Sequence, residues 1–171
     1  MGAIEPDRSR GGASERRGAP SFRLWPPIAV AVPWFVGYAA ERALGSPIGI
    51  AATQRIWVQV IGWCLVAVFV VWNAWCLVLF ARHRTGLLPG QSTSNLLTTG
   101  PYRFSRNPLY VGLLVLHAGA AMAAVSVGAL TALPLAWAGL HWGAVLPEER
   151  YLRDRIGSPY LEYCRTVRRW V

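Results

Sequence analysis

Gly100-Pro101-Tyr102-Arg103-Phe104-Ser105-Arg106-Asn107-Pro108-Leu109-Tyr110 sets a polar, doubly cationic loop directly against an apolar run. Asn107 followed by Pro108 reads as a helix start, because Asn can cap free N–H groups and Pro is tolerated in the first turn. The apolar run that follows ends at Pro147-Glu148-Glu149-Arg150, and its one interruption, near Ser126 and Gly128, is too short to lead anywhere but back. Two antiparallel membrane helices are therefore predicted, over 108–126 and 128–146. Arg103, Arg106, Asn107 and Tyr110 should then face Glu148 and Glu149 across the open mouth of a hairpin.

Composition agrees. With 54% hydrophobic and 15% charged residues, the 171-residue chain is too apolar for an ordinary soluble domain and reads as one small membrane domain over 22–171. All seventeen basic residues are Arg, clustered beside apolar runs rather than along one helix face. That placement marks topology rather than a nucleic-acid stripe, so no nucleic acid is expected as a partner. Cys64, Cys76 and Cys164 form no C-x-x-C pair, which implies neither a disulfide framework nor a metal site.

Residues 1–21, rich in Gly, Arg and Ser, read as a disordered cytoplasmic tail. A cleavable signal is the competing reading, opposed by Glu5, Asp7 and Glu15 and by Pro26, Pro27 and Pro33 in the apolar stretch. Two further spans are expected at 24–44, anchored by Trp25, and at 56–80. Asn73, inside the second, reads as a helix-to-helix hydrogen bond. The fold class is thus all-α and integral to a membrane. It has four transmembrane helices, the last two a hairpin, and a cytoplasmic amphipathic segment over 148–171 broken at Gly157-Ser158-Pro159. Gly119, Ala120, Ala121, Ala123 and Ala124 on the third span and Gly139-x-x-x-Gly143 on the fourth predict close packing of those two helices. Only Arg42 and Arg55 fall on the far side of this topology, so the positive-inside rule puts both termini and the 81–105 loop in the cytoplasm.

The mouth has two readings. Arg–Glu pairs could staple the helix ends, or the same groups could hold a polar, zwitterionic ligand, with guanidinium gripping a carboxylate and carboxylates gripping an ammonium. His117 lies about 13 Å into its span at helical rise and reads as a packed neutral imidazole. His141 falls opposite Gly139 and Gly143 on a helical wheel and on the face of Glu148, a site candidate provided Pro147 does not swing the helix away. His83 reads as a solvated loop residue. The chain carries no Gly-rich phosphate loop, G-x-S-x-G or dinucleotide fingerprint.

Thr99 to Gly112, with Glu148-Glu149 one span later and then Gly157, Tyr160, Tyr163 and a basic, tryptophan-ended terminus, resembles the isoprenylcysteine carboxyl methyltransferase family and its bacterial, phospholipid methyltransferase-like relatives. The resemblance covers about residues 98–171. It implies a membrane methyltransferase that uses S-adenosyl-L-methionine at the cytosolic face without a Rossmann domain, on a lipid-like acceptor arriving from the bilayer. Carried over by position, Arg106, Asn107, Tyr110 and Gly112 occupy the first motif, Glu148 and Glu149 the second, and Tyr160, Tyr163 and Arg169 the tail motif. With Arg103 from the mouth, these residues other than Arg106 are the expected cofactor contacts, and Arg106, Asn107 and His141 are the expected catalytic groups. Asn107 stands where the family usually has His, and Arg168 where Pro is common. Asn cannot take a proton at neutral pH, so any base must be another group.

Methyl transfer from a sulfonium is an in-line displacement, in which the protein mainly holds donor and acceptor in near-attack geometry. A carboxylate or thiolate acceptor needs no base, whereas an amine needs one, from His141 or Glu148. The acceptor stays open among a prenylated cysteine, an amino-headgroup phospholipid, a small thiol and an isoprenoid acid. The Arg-only basic content points to a bacterial inner membrane. An NADPH-dependent sterol or isoprenoid reductase and a non-enzymatic membrane protein are the alternatives.

Overall fold

The computed structural model describes residues 24–46, 48–83 and 97–171. The N-terminal tail and most of the 81–105 loop lie outside the described residues. Among the described residues every regular element is helical.

Helix α1 (Pro26–Leu44) begins on two prolines, and α2 (Ala52–His83) follows after a short link. A 3-10 turn (Gly100–Arg103) leads into α3 (Pro108–Ala123). The chain then reverses through Ala124, Val125 and Ser126, with the Ser126 N–H donating to the Ala121 carbonyl at 2.9 Å. Helices α4 (Val127–Thr131) and α5 (Leu133–Leu140), a π-helical turn (His141–Val145) and α6 (Leu146–Ile156) continue as one rod of 30 residues. Gly157, at φ 72°, ends the rod and starts α7 (Ser158–Thr166).

Ala52–Arg82 and Val127–Ile156 are long and apolar enough to cross a membrane, against the four spans expected. Helix α3 is apolar but only 16 residues long, and α1 carries Glu41 and Arg42 near its end. Trp57, Trp63, Val71 and Trp75 of α2 are all exposed, a surface that calls for apolar surroundings.

The hairpin is present, but its last helix does not stop at Leu146. It passes through Pro147 and ends ten residues later. Proline removes the N–H that would bind the Gly143 carbonyl and crowds that same carbonyl. The π turn over 141–145 widens the helix there, as such turns do inside α-helices, and the Leu24 N–H reaches the Gly143 oxygen at 3.4 Å.

The small-residue seams are also real, but they meet other partners than expected. A Cβ on Gly119 would lie 2.9–3.0 Å from Leu65, Gly62 and Val66, so the small face of α3 packs on α2. Gly139 and Gly143 face Ala29 and Leu24 at the start of α1, and Gly37 of α1 meets the Gly128 backbone. Helix α3 therefore lies between α2 on one side and α1 with α5 on the other. It turns Tyr110, Leu113 and Leu114, spaced as one helical face, toward a core of Ala29, Val30 and Leu140. His117 is buried, its Nε2 2.8 Å from the Ala129 carbonyl and its Nδ1 3.3 Å from that of Val30, so it is packed as expected.

Candidate active site at the hairpin mouth

Ser105, Arg106 and Asn107 bind the C-terminal tail before they bind anything else. The Arg106 N–H donates to the Arg168 carbonyl at 2.9 Å. Ser105 Oγ and Asn107 Nδ2 both donate to the Arg169 carbonyl, at 3.3 and 3.0 Å. Asn107 was expected to cap α3, yet its side chain makes no capping hydrogen bond, because the amide is engaged by the tail. It is buried, with one of its two amide N–H groups taken by the tail.

The two neighbouring glutamates differ in state. Glu149 is 3% exposed. Arg169 donates from Nε to both its oxygens at 3.1 Å and from an Nη at 2.8 Å, and Arg106 stands 3.5 Å away. Bidentate guanidinium contacts of this kind are strong and directional, and they raise the Arg169 pKa above its ordinary value. Glu149 therefore ties the rod to the doorstep and the tail. Glu148 accepts one hydrogen bond, from the Tyr110 hydroxyl at 2.6 Å, and has no cation partner among the described residues.

Other expected residues divide in the same way. The Tyr163 hydroxyl donates to the Tyr102 carbonyl at 2.7 Å, and burial pushes its pKa up to about 12. Tyr160 is 2% exposed. Gly112 packs closely on α2, for a Cβ there would collide with the Asn73 amide. Asn73 in turn donates to the Phe69 carbonyl of its own helix, not across helices. Arg103 is exposed and joins no ion pair among the described residues.

His141 sits among aromatic rings. It stacks on Trp137 at 5.0 Å and lies 5.2 Å from Trp142 and 6.2 Å from Trp170, with no bond to Glu148. Ring centroids this close are in mutual contact and leave no room for a ligand between them. The π turn that begins at His141 rotates everything after it away from a 100° wheel, Glu148 included.

Two residues of the mouth were not anticipated. Cys164 accepts from Arg106 at 2.6 Å, and Tyr102, buried at 7% exposure, leaves its hydroxyl without a partner. Cys164 sits one helical turn after Tyr160, a spacing that placed it on the same face. No sequence signal distinguished Tyr102 from an interfacial aromatic.

Among the described residues, five buried side-chain polar atoms lack a partner: Trp34 Nε1, Tyr102 Oη, Arg106 Nε, His141 Nδ1 and Trp170 Nε1. Tyr102 Oη and Arg106 Nε belong to the mouth, and Trp170 Nε1 to the tail packed against it. Buried polar groups are normally satisfied, and a concentration of exceptions marks a place built for something else.

No curated protein and no solved structure matches the chain. The model of one family, phospholipid methyltransferase, matches residues 57–157 of the 171. That stretch takes in most of α2, the doorstep, the hairpin and both glutamates, and it covers more than half of the chain, which thus belongs to the phospholipid methyltransferase family.

Proposed function

We propose that the hairpin mouth is the active site of an S-adenosylmethionine-dependent methyltransferase whose acceptor is the amine headgroup of a membrane lipid. The observation that carries this reading is Glu148, a carboxylate held by Tyr110 with no cation on it among the described residues. A partly buried, unpaired charge is costly until a ligand of opposite sign arrives. A sulfonium and an ammonium both supply that sign. A carboxylate or thiolate acceptor would be repelled there, which narrows the choice the sequence left open.

The mouth's donors suit the cofactor as well. Arg106 keeps its Nε–H for a carboxylate, and Tyr102 keeps a hydroxyl. When bound, S-adenosylmethionine supplies an electrophilic methyl group. The protein's own residues then hold the acceptor in line and remove its proton. Asn107 cannot accept a proton and His141 is stacked on Trp137 with no bond to Glu148, so this reading makes Glu148 the base. Arg169, Glu149, Tyr160 and Tyr163 act by fixing the tail over the site.

A lipid acceptor needs a place for its chain. An apolar groove of about 200 Å³ lies between α2 and α3, lined by Val68, Phe69, Trp72, Val111, Gly112 and Val115. Trp72, in its wall, donates to the Pro108 carbonyl at 2.8 Å. In this reading α1, α2, α3 and the rod are the four spans of one domain over 22–171, in a bacterial inner membrane. The termini and the mouth are cytoplasmic. At 1.5 Å per residue the rod is about 45 Å long, which carries Glu148 to the edge of a hydrocarbon layer about 30 Å thick.

Proteoliposomes with methyl-labelled S-adenosylmethionine test the proposal. Label is expected in lipids with a primary amine headgroup and absent from vesicles of acidic lipids. Label confined to protein, to a fatty acid or to no product overturns it.

A further inference from the structure

Tyr110 has its ring in one part of the fold and its hydroxyl in another. The ring shares the α3 face of Leu113 and Leu114 and packs against Ala29 and Val30 of α1 and Leu140 at the end of α5, so three helices fix it. The hydroxyl donates to Glu148 Oε2 at 2.6 Å. That length is the one expected of a hydroxyl donating to an ionised carboxylate, shorter than between neutral partners. Glu148 itself stands beyond the π turn and Pro147, where the rod's own hydrogen-bond ladder is interrupted. It is half-buried, and its Oε1 accepts no hydrogen bond among the described residues.

We infer that Tyr110 is a positioning residue for Glu148 rather than a contact of the cofactor, holding Oε2 so that Oε1 is the oxygen that takes the acceptor's proton. This deepens the amine-acceptor reading and rests on it. A phenol has a single O–H, and Glu148 has it. Oε1 removes one proton from the acceptor ammonium, and the carboxylate becomes a carboxylic acid. The freed nitrogen lone pair forms a bond to the methyl carbon as the carbon–sulfur bond breaks, and that bond's electron pair stays on sulfur. The acid then returns its proton to water. Without the phenol the Glu148 side chain can turn, and a base displaced by about 1 Å loses much of its rate.

A coupling follows. A residue that acts only through Glu148 has nothing to act on once that carboxylate is gone, so the two losses must be non-additive. A residue that touched the cofactor would add its own loss.

The test is a double-mutant cycle of Tyr110→Phe and Glu148→Gln in proteoliposomes of a primary amine lipid. Phenylalanine keeps the ring and its packing, and rates are taken below the thermal midpoint of every variant. In the wild-type background Tyr110→Phe is expected to lower kcat about tenfold, the loss of one charge-assisted hydrogen bond, with KM for S-adenosylmethionine unchanged. In the Glu148→Gln background it should change the residual kcat by less than about twofold. Equilibrium binding of S-adenosylmethionine without lipid gives a readout independent of turnover, and Tyr110→Phe should bind as wild type does. Equal loss in both backgrounds, no loss in either, or weakened binding of S-adenosylmethionine overturns the inference. If wild type methylates no amine lipid, the parent reading fails and takes this one with it. Amine methylation with additive losses overturns this inference alone.

Discussion

Glu41 and Glu148 lie at opposite ends of the hairpin rod, one beside its first turn and the other near its last. Glu41 reaches across from α1, accepting from the Ser126 hydroxyl and from the Gly128 N–H at 3.1 Å, while Ser126 Oγ accepts from the Ala129 N–H at 3.1 Å. Carboxylate and hydroxyl together satisfy donors left free at a helix N-terminus, where negative charge is also favourable. The close approach of Gly37 and Gly128 lets them meet. Among the described residues, Glu148 has one hydroxyl and no cation. The difference teaches that a carboxylate near a helix end is read by its remaining valence, with the satisfied one holding the fold and the unsatisfied one waiting for a ligand.

Removing the unsatisfied charge should have the largest effect. Glu148→Gln is expected to cut methyl transfer by a hundredfold or more, the usual scale for a general base. Its thermal stability should be unchanged or higher, because no protein partner is lost. A variant that keeps its turnover would make Glu148 as structural as Glu41.

Glu149→Ala tests the neighbour. It strands two guanidiniums and should cost about 3 kcal/mol, at the low end for a buried pair because Arg169 is 35% exposed. A drop of several degrees in melting temperature is the readout, with any loss of activity following from the loosened tail.

Glu41→Ala should cost about 1–2 kcal/mol, the value of a helix cap, and leave kcat/KM for amine lipids unchanged in protein that remains folded. Activity loss at a temperature where the variant is fully folded would erase the contrast between the two ends.

Asn107→His should have the smallest effect. An imidazole N–H can replace the amide donor to the Arg169 carbonyl, so stability should change by less than about 1 kcal/mol. Methyl transfer should keep its wild-type pH profile. A new inflection near the ordinary histidine pKa of about 6.5 would show that position 107 can act as a base after all.

Much of this was legible beforehand. The Pro108 start, the turn near Ser126 and the Gly157 break follow from local rules about proline, short connections and glycine, and all three are where the sequence put them. The pairing of the doorstep with the glutamates was legible too, because a hairpin must bring its two ends together. Which glutamate remains open was not. Adjacent helical residues point about 100° apart, and only the position of Arg169, twenty residues on, decides that Glu149 takes the guanidinium. The Gly139 and Gly143 seam could be recognised as a seam but not assigned to α1, since a small-residue face does not specify its partner.

By itself, then, the amino-acid sequence determined the helices, the reversal of the hairpin, the polar doorstep and the family, because propensity, apolar runs and motif order are local properties of the chain. Tertiary structure alone decided that Asn107 binds the tail, that His141 stacks on tryptophans at the start of a π turn, and that Glu148 and Tyr102 are left with unused hydrogen-bonding capacity among the described residues. Whether a polar group is satisfied depends on what other elements bring to it, and that is a fact of packing rather than of sequence.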